Sequence, residues 1–218
     1  MEIKLVKEIL EANAAIAAQN GALCAEQGVY VINLMGGAGA GKTTLLERTI
    51  EGLKGKRRMA VIEGDIATSR DAERIAAHHI PAVQINTGGE CHLDGNMVRA
   101  GLGQLDLSDI DLLVVENVGN LVCPAEFNIG EDAKVMVCSV AEGDDKPLKY
   151  PLMFQVSSLL LLNKIDLLPY VAFDVERFCA DALKVNPHLE IMPISCTTGE
   201  GLDSWLRWLE ERSCTKGA

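Results

Sequence analysis

The sequence has no basic block. Its 20 lysines and arginines stand against 31 aspartates and glutamates, for a net charge of −11 over 218 residues. A nucleic-acid surface needs a lysine or arginine stripe, so no nucleic-acid partner is expected. No apolar run is long enough to cross a bilayer. The longest, around Leu159 to Leu162, falls far short of the ~20 residues a membrane helix requires. The opening Met-Glu-Ile-Lys-Leu-Val-Lys-Glu is amphipathic and does not form an apolar leader. A soluble, cytoplasmic protein is therefore the expectation, with no membrane partner. No internal repeat, low-complexity segment or linker is visible, and no His-rich or Cys-rich tract precedes the first helical pattern. The seven cysteines (Cys24, Cys91, Cys123, Cys138, Cys179, Cys196, Cys214) are odd in number and scattered. That excludes an evident disulfide framework and leaves core residues or metal ligands.

What is present is enough apolar material, 48% of the chain, for one sizeable core, so residues 1–218 are expected to form a single domain. Ile3, Val6 and Leu10, with an Ala-rich continuation to about Asn20, predict an amphipathic helix that Gly21 ends. Residues 1–21 read as an accessory element, packed on the domain or at an interface. Beyond it, strand and helix patterns alternate. The run Val29–Met35 is a first strand. Others are predicted at Met59–Glu63, Pro81–Asn86, Asp111–Glu116, Val135–Val140, Ser158–Asn163 and Glu190–Ile194. Helices are predicted at Thr43–Lys54, from Ala67–Ala72 to His78-His79, at Leu93–Leu102 and at Leu202–Arg212. Lys54, Lys56, Arg57 and Arg58 read as a solvated turn.

Between the first strand and the first long helix lies Gly36-Gly37-Ala38-Gly39-Ala40-Gly41-Lys42-Thr43-Thr44, which fits G-x-x-x-x-G-K-[ST] in its required strand–loop–helix context. Small residues let the backbone wrap a polyphosphate so that several N–H groups point at its oxygens. The helix that begins there turns its positive end toward the anion. Lys42 is expected to reach the β- and γ-phosphates and the Thr43 hydroxyl to ligate Mg²⁺. Together with the alternation, this predicts an α/β fold of P-loop NTPase type: three α/β/α layers, with a mainly parallel sheet of about seven strands and helices on both faces. Ligands of such sheets bind at the carboxyl ends of the strands.

Asn163-Lys164-Ile165-Asp166 follows the sixth strand and resembles the base-reading motif of GTP-binding proteins. Asp166 can accept from both guanine N1–H and N2–H₂, a donor pair adenine lacks. Asn163 would hold neighbouring loops, and the Lys164 stem could cover the ring. Ser195-Cys196-Thr197-Thr198, after the seventh strand, resembles the last guanine-contacting loop, with Cys196 a small packing residue. Asp65 and Glu116, at the ends of the second and fourth strands, are candidate Mg²⁺ ligands. Asp65 is also the candidate for orienting the attacking water, and Gly119 for a backbone N–H to the γ-phosphate. No arginine finger is evident, so unaided hydrolysis is expected to be slow. Cys91-His92 and Cys123 lie in loops at the same sheet edge, and two thiols with an imidazole suit Zn²⁺ or Ni²⁺. Three ligands are one short of a closed tetrahedral site, and a dimer across that edge would supply six.

The strings Gly89-Glu90-Cys91-His92-Leu93-Asp94, Glu116-Asn117-Val118-Gly119-Asn120-Leu121-Val122-Cys123-Pro124 and Glu142–Pro151, with the motifs above, resemble the hydrogenase nickel-incorporation GTPases (HypB) over nearly the whole chain after the first helix. The resemblance implies a SIMIBI-class P-loop GTPase that dimerises with GTP and handles nickel during nickel–iron hydrogenase maturation. It also implies a metal site of the Cys91, His92, Cys123 type at the dimer interface. Implied partners are GTP and GDP, other maturation proteins and the hydrogenase large subunit. A urease-type nickel GTPase is a rival, but Cys91-His92 stands where its Cys-Pro-His arrangement is usual. A P-loop kinase for a small metabolite is a second rival, opposed by Asn163-Lys164-Ile165-Asp166.

Overall fold

Continuous apolar runs make strands that are buried on both faces. Tyr30–Gly36 (β1), Leu112–Glu116 (β4), Ala133–Ser139 (β5) and Leu159–Asn163 (β6) are buried at every position. With Met59–Asp65 (β2), Ala82–Asn86 (β3) and Glu190–Pro193 (β7) they form a seven-stranded sheet of order β3-β2-β4-β1-β5-β6-β7. Every pairing in it is parallel. The predicted α/β architecture is thus the observed one. The computed structural model describes residues 4–65 and 74–214, apart from the side chains of residues 4–7 and of Asp65.

Alternate residues of the central strands feed opposite layers. Ile32 and Leu34 pack with Leu45, Leu46, Trp205 and Trp208 from helices Lys42–Leu53 (α2) and Leu202–Cys214 (α8). Val31, Ile62 and Leu113 pack on the other face with Val98 and Leu102 of Gly95–Leu102 (α3). Met35, Met136 and Leu162 meet Phe154 of Pro151–Val156 (α6) and Phe178 of Val175–Val185 (α7).

The first helix, Lys4–Glu26 (α1), runs straight through Gly21. That glycine is used for close approach: a Cβ there would lie 3.3 Å from the Gly130 carbonyl oxygen. The helix is stopped instead by Gly28, in the left-handed region at φ 72°, with Val29 N–H donating back to Cys24 O at 2.9 Å. Asn13 and Asn20 bind α1 to the start of α3. Gly95 N–H donates to Asn13 Oδ1 at 2.7 Å, and Asn20 Nδ2 donates to Gly95 O at 2.8 Å.

Helix α7 is absent from the sequence reading, although Asp174 caps it by accepting from Arg177 N–H at 2.9 Å and Phe178 and Ala182 form its buried stripe. Helix α3 starts at Gly95, two residues later than predicted, because Asp94 is its cap and accepts from Met97 N–H at 2.8 Å. Two four-residue helices, Cys123–Glu126 (α4) and Lys146–Lys149 (α5), each carry proline in the first turn. Of the helix predicted from Ala67–Ala72 to His78-His79, residues 66–73 lie outside the described part, and 74–76 are helical. Among the described residues no helix is long and apolar enough to cross a membrane.

Candidate functional site

Because all strands are parallel, the loops after β1, β2, β3, β4, β6 and β7 open on one edge of the sheet. The loop from β1 to α2 forms one wall of a cavity of about 380 Å³. Gly39, Lys42, Thr43, Glu63, Arg74, Glu116, Gly119 and Lys164 are among its lining residues. Gly41 caps α2 in the left-handed region at φ 101°, and a side chain there would run into the Asn163 amide. Lys42 is buried, and its ammonium donates to the carbonyls of Gly36 at 3.2 Å and Gly37 at 3.3 Å. The cation is therefore held inside the loop whose N–H groups would face an anion. Thr43 Oγ1 donates to Glu116 Oε1 at 2.9 Å.

Glu63 and Glu116 are register partners across β2 and β4, and both are buried. A hydroxyl and two carboxylates beside the phosphate loop suit a hard divalent cation. Asp65 ends β2 at the same edge. Its side chain lies outside the described ones.

Asn163 ties three segments together. Its Nδ2 donates to Ala40 O at 2.9 Å, and its Oδ1 accepts from Lys164 N–H at 2.7 Å and Cys196 N–H at 3.3 Å. Lys164 adopts φ 64°, and its ammonium donates to Gly39 O at 2.7 Å. Asp166 Oδ1 accepts from Ser195 Oγ at 2.6 Å. Cys196 is buried, and burial pushes its thiol up to about 11, so at neutral pH it packs as a neutral small side chain.

The loop after β4 crosses over the phosphate loop. Asn120 bridges to Gly36, and Gly119 lies so close that a Cβ would be 3.0 Å from Ala38 Cα and 3.1 Å from Ala38 N. Neither atom is the flexible end of a side chain. Gly119→Ala is therefore expected to cost about 1–3 kcal/mol of strain. The phosphate loop has to shift to relieve it, so nucleoside triphosphate affinity is expected to fall in a binding titration, and the melting temperature without nucleotide by roughly 2–4 °C per kcal/mol of that strain.

Past this crossing, Cys91, His92 and Cys123 converge, each half-buried. Cys91 Sγ lies 2.8 Å from Cys123 Sγ and 3.7 Å from His92 Nδ1, and the ligand atoms of the three all fall within 4.8 Å of one another. The hydrogen bond with Cys91, and then burial, push the Cys123 thiol above its ordinary value. The His92 ring stacks on Phe127 at 3.9 Å between centroids. The two loops are stitched by amides: Asn117 Oδ1 accepts from Leu93 N–H at 3.0 Å, and Asn120 Nδ2 donates to Cys91 O at 3.3 Å. Cys24 and Cys138 are buried elsewhere.

Sequence reasoning did not single out Glu63, Arg74, Asn117 or Asn120. Glu63 sits two residues before the strand-end acid Asp65 in the predicted strand, and that spacing of two acids at the period of a strand was a signal available in the sequence. Arg74 forms a fork on Glu47, at 3.0 and 2.5 Å, and donates to Thr44 Oγ1 at 3.1 Å; no local pattern pointed to it.

A sequence profile described as "CobW/HypB/UreG, nucleotide-binding domain" matches residues 30–193. The chain is 53% identical over 207 residues to the hydrogenase maturation factor HypB of Escherichia coli K12, covering 95% of this chain and 71% of that protein. It is 42% identical over 209 residues to the probable hydrogenase maturation factor HypB of Methanocaldococcus jannaschii, covering 96% and 95%. Among solved structures, HypB of Archaeoglobus fulgidus superposes with a TM-score of 0.88 at 40% identity, over 93% of this chain and 99% of that one. HypB of Helicobacter pylori, solved in complex with nickel, gives 0.89 at 35% identity over 94% and 96%.

Proposed function

The chain belongs to the CobW/HypB/UreG family of nucleotide-binding proteins, among the HypB hydrogenase maturation factors, and from that premise we propose that it is a GTP-hydrolysing metallochaperone whose nucleotide state sets the geometry of a nickel or zinc site. One observation carries the reading. A single short loop runs from Glu116, which accepts from Thr43 in the phosphate loop, to Cys123, which lies 2.8 Å from Cys91. A change at the γ-phosphate has only seven residues of chain to cross before it reaches a thiol.

In this mechanism Asp166 and Ser195 select guanine, Asn163 and Lys164 hold the base loop against the phosphate loop, and Lys42 lies along the phosphates. Thr43 and Glu116, with Asp65, would hold Mg²⁺, which neutralises phosphate charge when bound. Asp65 orients a water molecule whose oxygen bonds to the γ-phosphorus as the bond to the β–γ bridging oxygen breaks. GDP leaves with that electron pair, and Lys42 meets the charge that develops there. The transported metal is the cargo. Cys91, His92 and Cys123 offer it three donors, and a second copy of the chain facing the same edge completes the shell in the GTP-bound dimer. The hydrogenase large subunit and other maturation proteins are the acceptors and partners this role requires.

Calorimetry tests the coupling. Zn²⁺ or Ni²⁺ affinity is expected to change when a non-hydrolysable GTP analogue is present, and analogue affinity to change by the same factor when the metal is present. Size measurement should find more dimer with the analogue. Cys91→Ala and Cys123→Ala should each lose most metal binding and keep GTP binding, because neither residue touches the phosphate loop. Metal must displace protons from the donors, and the Cys123 thiol is raised, so affinity should rise with pH and be lost as pH falls. Affinities that stay the same whether or not the other ligand is bound would leave a GTPase that merely carries metal.

A further inference from the structure

A buried polar chain runs behind the two sites. It begins at Lys134 on β5, whose ammonium donates to the carbonyls of Ala125 at 3.3 Å and Phe127 at 3.2 Å. Ala125 belongs to the short helix that Cys123 opens, and Phe127 is the residue on whose ring His92 stacks. Glu131 Oε1 stands 3.5 Å from the same ammonium, with side-chain exposures of only 9% for Lys134 and 6% for Glu131. Asn33, fully buried on β1, directs Nδ2 to Glu131 Oε1 at 3.5 Å and accepts at Oδ1 from Asn117 Nδ2 at 3.0 Å. Asn117 Oδ1 then accepts from Leu93 N–H, beside His92. One polar chain therefore connects the backbone that carries Cys123 to the backbone that carries His92.

Burying an ammonium–carboxylate pair is costly, and an apolar pair of similar volume often stabilises a core as well or better. The chain's place in the sheet is accounted for by what it holds. None of its side chains is a metal donor, yet its two ends grip the two donor loops from behind. Outer-shell partners of this kind orient the ligands and tune the metal.

We propose that Lys134, Glu131, Asn33 and Asn117 are positioning residues for the Cys91–His92–Cys123 donor set, and that they link it to the nucleotide. Lys134 seats the Cys123 helix and the Phe127 ring. Asn117 seats the His92 loop and directly follows Glu116, the Thr43 partner, so a movement at Thr43 reaches both donor loops. The proposal rests on the reading of the cluster as a metal site.

Cobalt(II) is the probe, because its ligand-field and thiolate charge-transfer bands report donor geometry directly. The double variant Lys134→Met/Glu131→Gln removes the cation and its counter-charge together and leaves no unpaired charge. It is expected to bind Co²⁺ roughly 10–100-fold more weakly, with altered bands, a smaller response of those bands to a GTP analogue, and unchanged analogue affinity. Lys134→Arg, which keeps the cation, should restore much of the wild-type spectrum. If the double variant fails to fold, Asn33→Ala cuts the chain at its centre and should give the same loss. Wild-type cobalt affinity, spectrum and analogue response in these variants would overturn the proposal. So would equal losses of metal and nucleotide affinity, the mark of a purely structural role. Cys123→Ala run in parallel separates the two readings: if it binds cobalt like the wild type, the metal site itself is wrong and the positioning chain falls with it.

Discussion

Lys42→Ala should lower GTP hydrolysis by about 10²–10³-fold, the loss typical of removing one preorganised donor from a developing oxyanion. The ammonium is fixed before any nucleotide arrives. It is 7% exposed and bonded to the Gly36 and Gly37 carbonyls at 3.2 and 3.3 Å. A cation already desolvated and aimed into the loop needs no reorganisation as charge builds on the bridging oxygen, which is why its loss falls on the chemical step as well as on binding. Triphosphate should suffer more than diphosphate, because the cation lies along the β- and γ-phosphates in the proposed complex. Phosphate release at saturating GTP is the measurement, with circular dichroism to show that the loop's loss of two hydrogen bonds has not unfolded the domain. Turnover at the unmutated rate would remove Lys42 from the phosphate site.

Asp166→Asn should exchange the base preference. In the folded chain Asp166 Oδ1 already accepts from Ser195 Oγ at 2.6 Å. A carboxylate has about four lone-pair sites, so capacity remains for the two guanine donors. Hydrogen bonds to a charged acceptor contribute ~1.5–3 kcal/mol, so the fall in GTP affinity should be roughly one to two orders of magnitude. The amide oxygen can keep the Ser195 bond while the new N–H₂ faces the base, where the C2 carbonyl of xanthine accepts. XTP should therefore gain as GTP loses. A competition titration in which the Asp166→Asn protein still prefers GTP would show that Asp166 does not read the base.

Several features of the structure had local signals and others had none. The phosphate loop and the Asn163–Asp166 segment each follow a strand buried at every position, and the Cys91-His92 pair follows the half-exposed edge strand β3; residue type plus position in a strand–loop unit is information the chain carries locally. Helix α7 carries equally local signals, an Asp174 cap and a Phe178, Ala182 stripe. Gly21 shows the opposite case. A glycine near the expected end of a helix reads as a stop, and only its contact with Gly130, more than a hundred residues away, explains why the helix continues.

The sequence by itself determined which segments are strands, that the sheet is parallel, and so that the loops carrying the candidate site residues open on one edge. The reason is that hydrophobic periodicity and turn chemistry act over a few residues, and the right-handed crossover rule then leaves little choice of edge. Only the tertiary structure decided which of those residues meet. The order β2-β4-β1-β5 puts Glu116 beside Thr43, sets Glu63 opposite Glu116, and threads Lys134, Glu131, Asn33 and Asn117 into one buried chain. Strand order is selected by the burial of whole layers and by polar groups that must find partners in the core, across separations such as the 84 residues between Asn33 and Asn117. No local pattern encodes a contact of that span, because each amide, read alone, is only a polar residue in an apolar run.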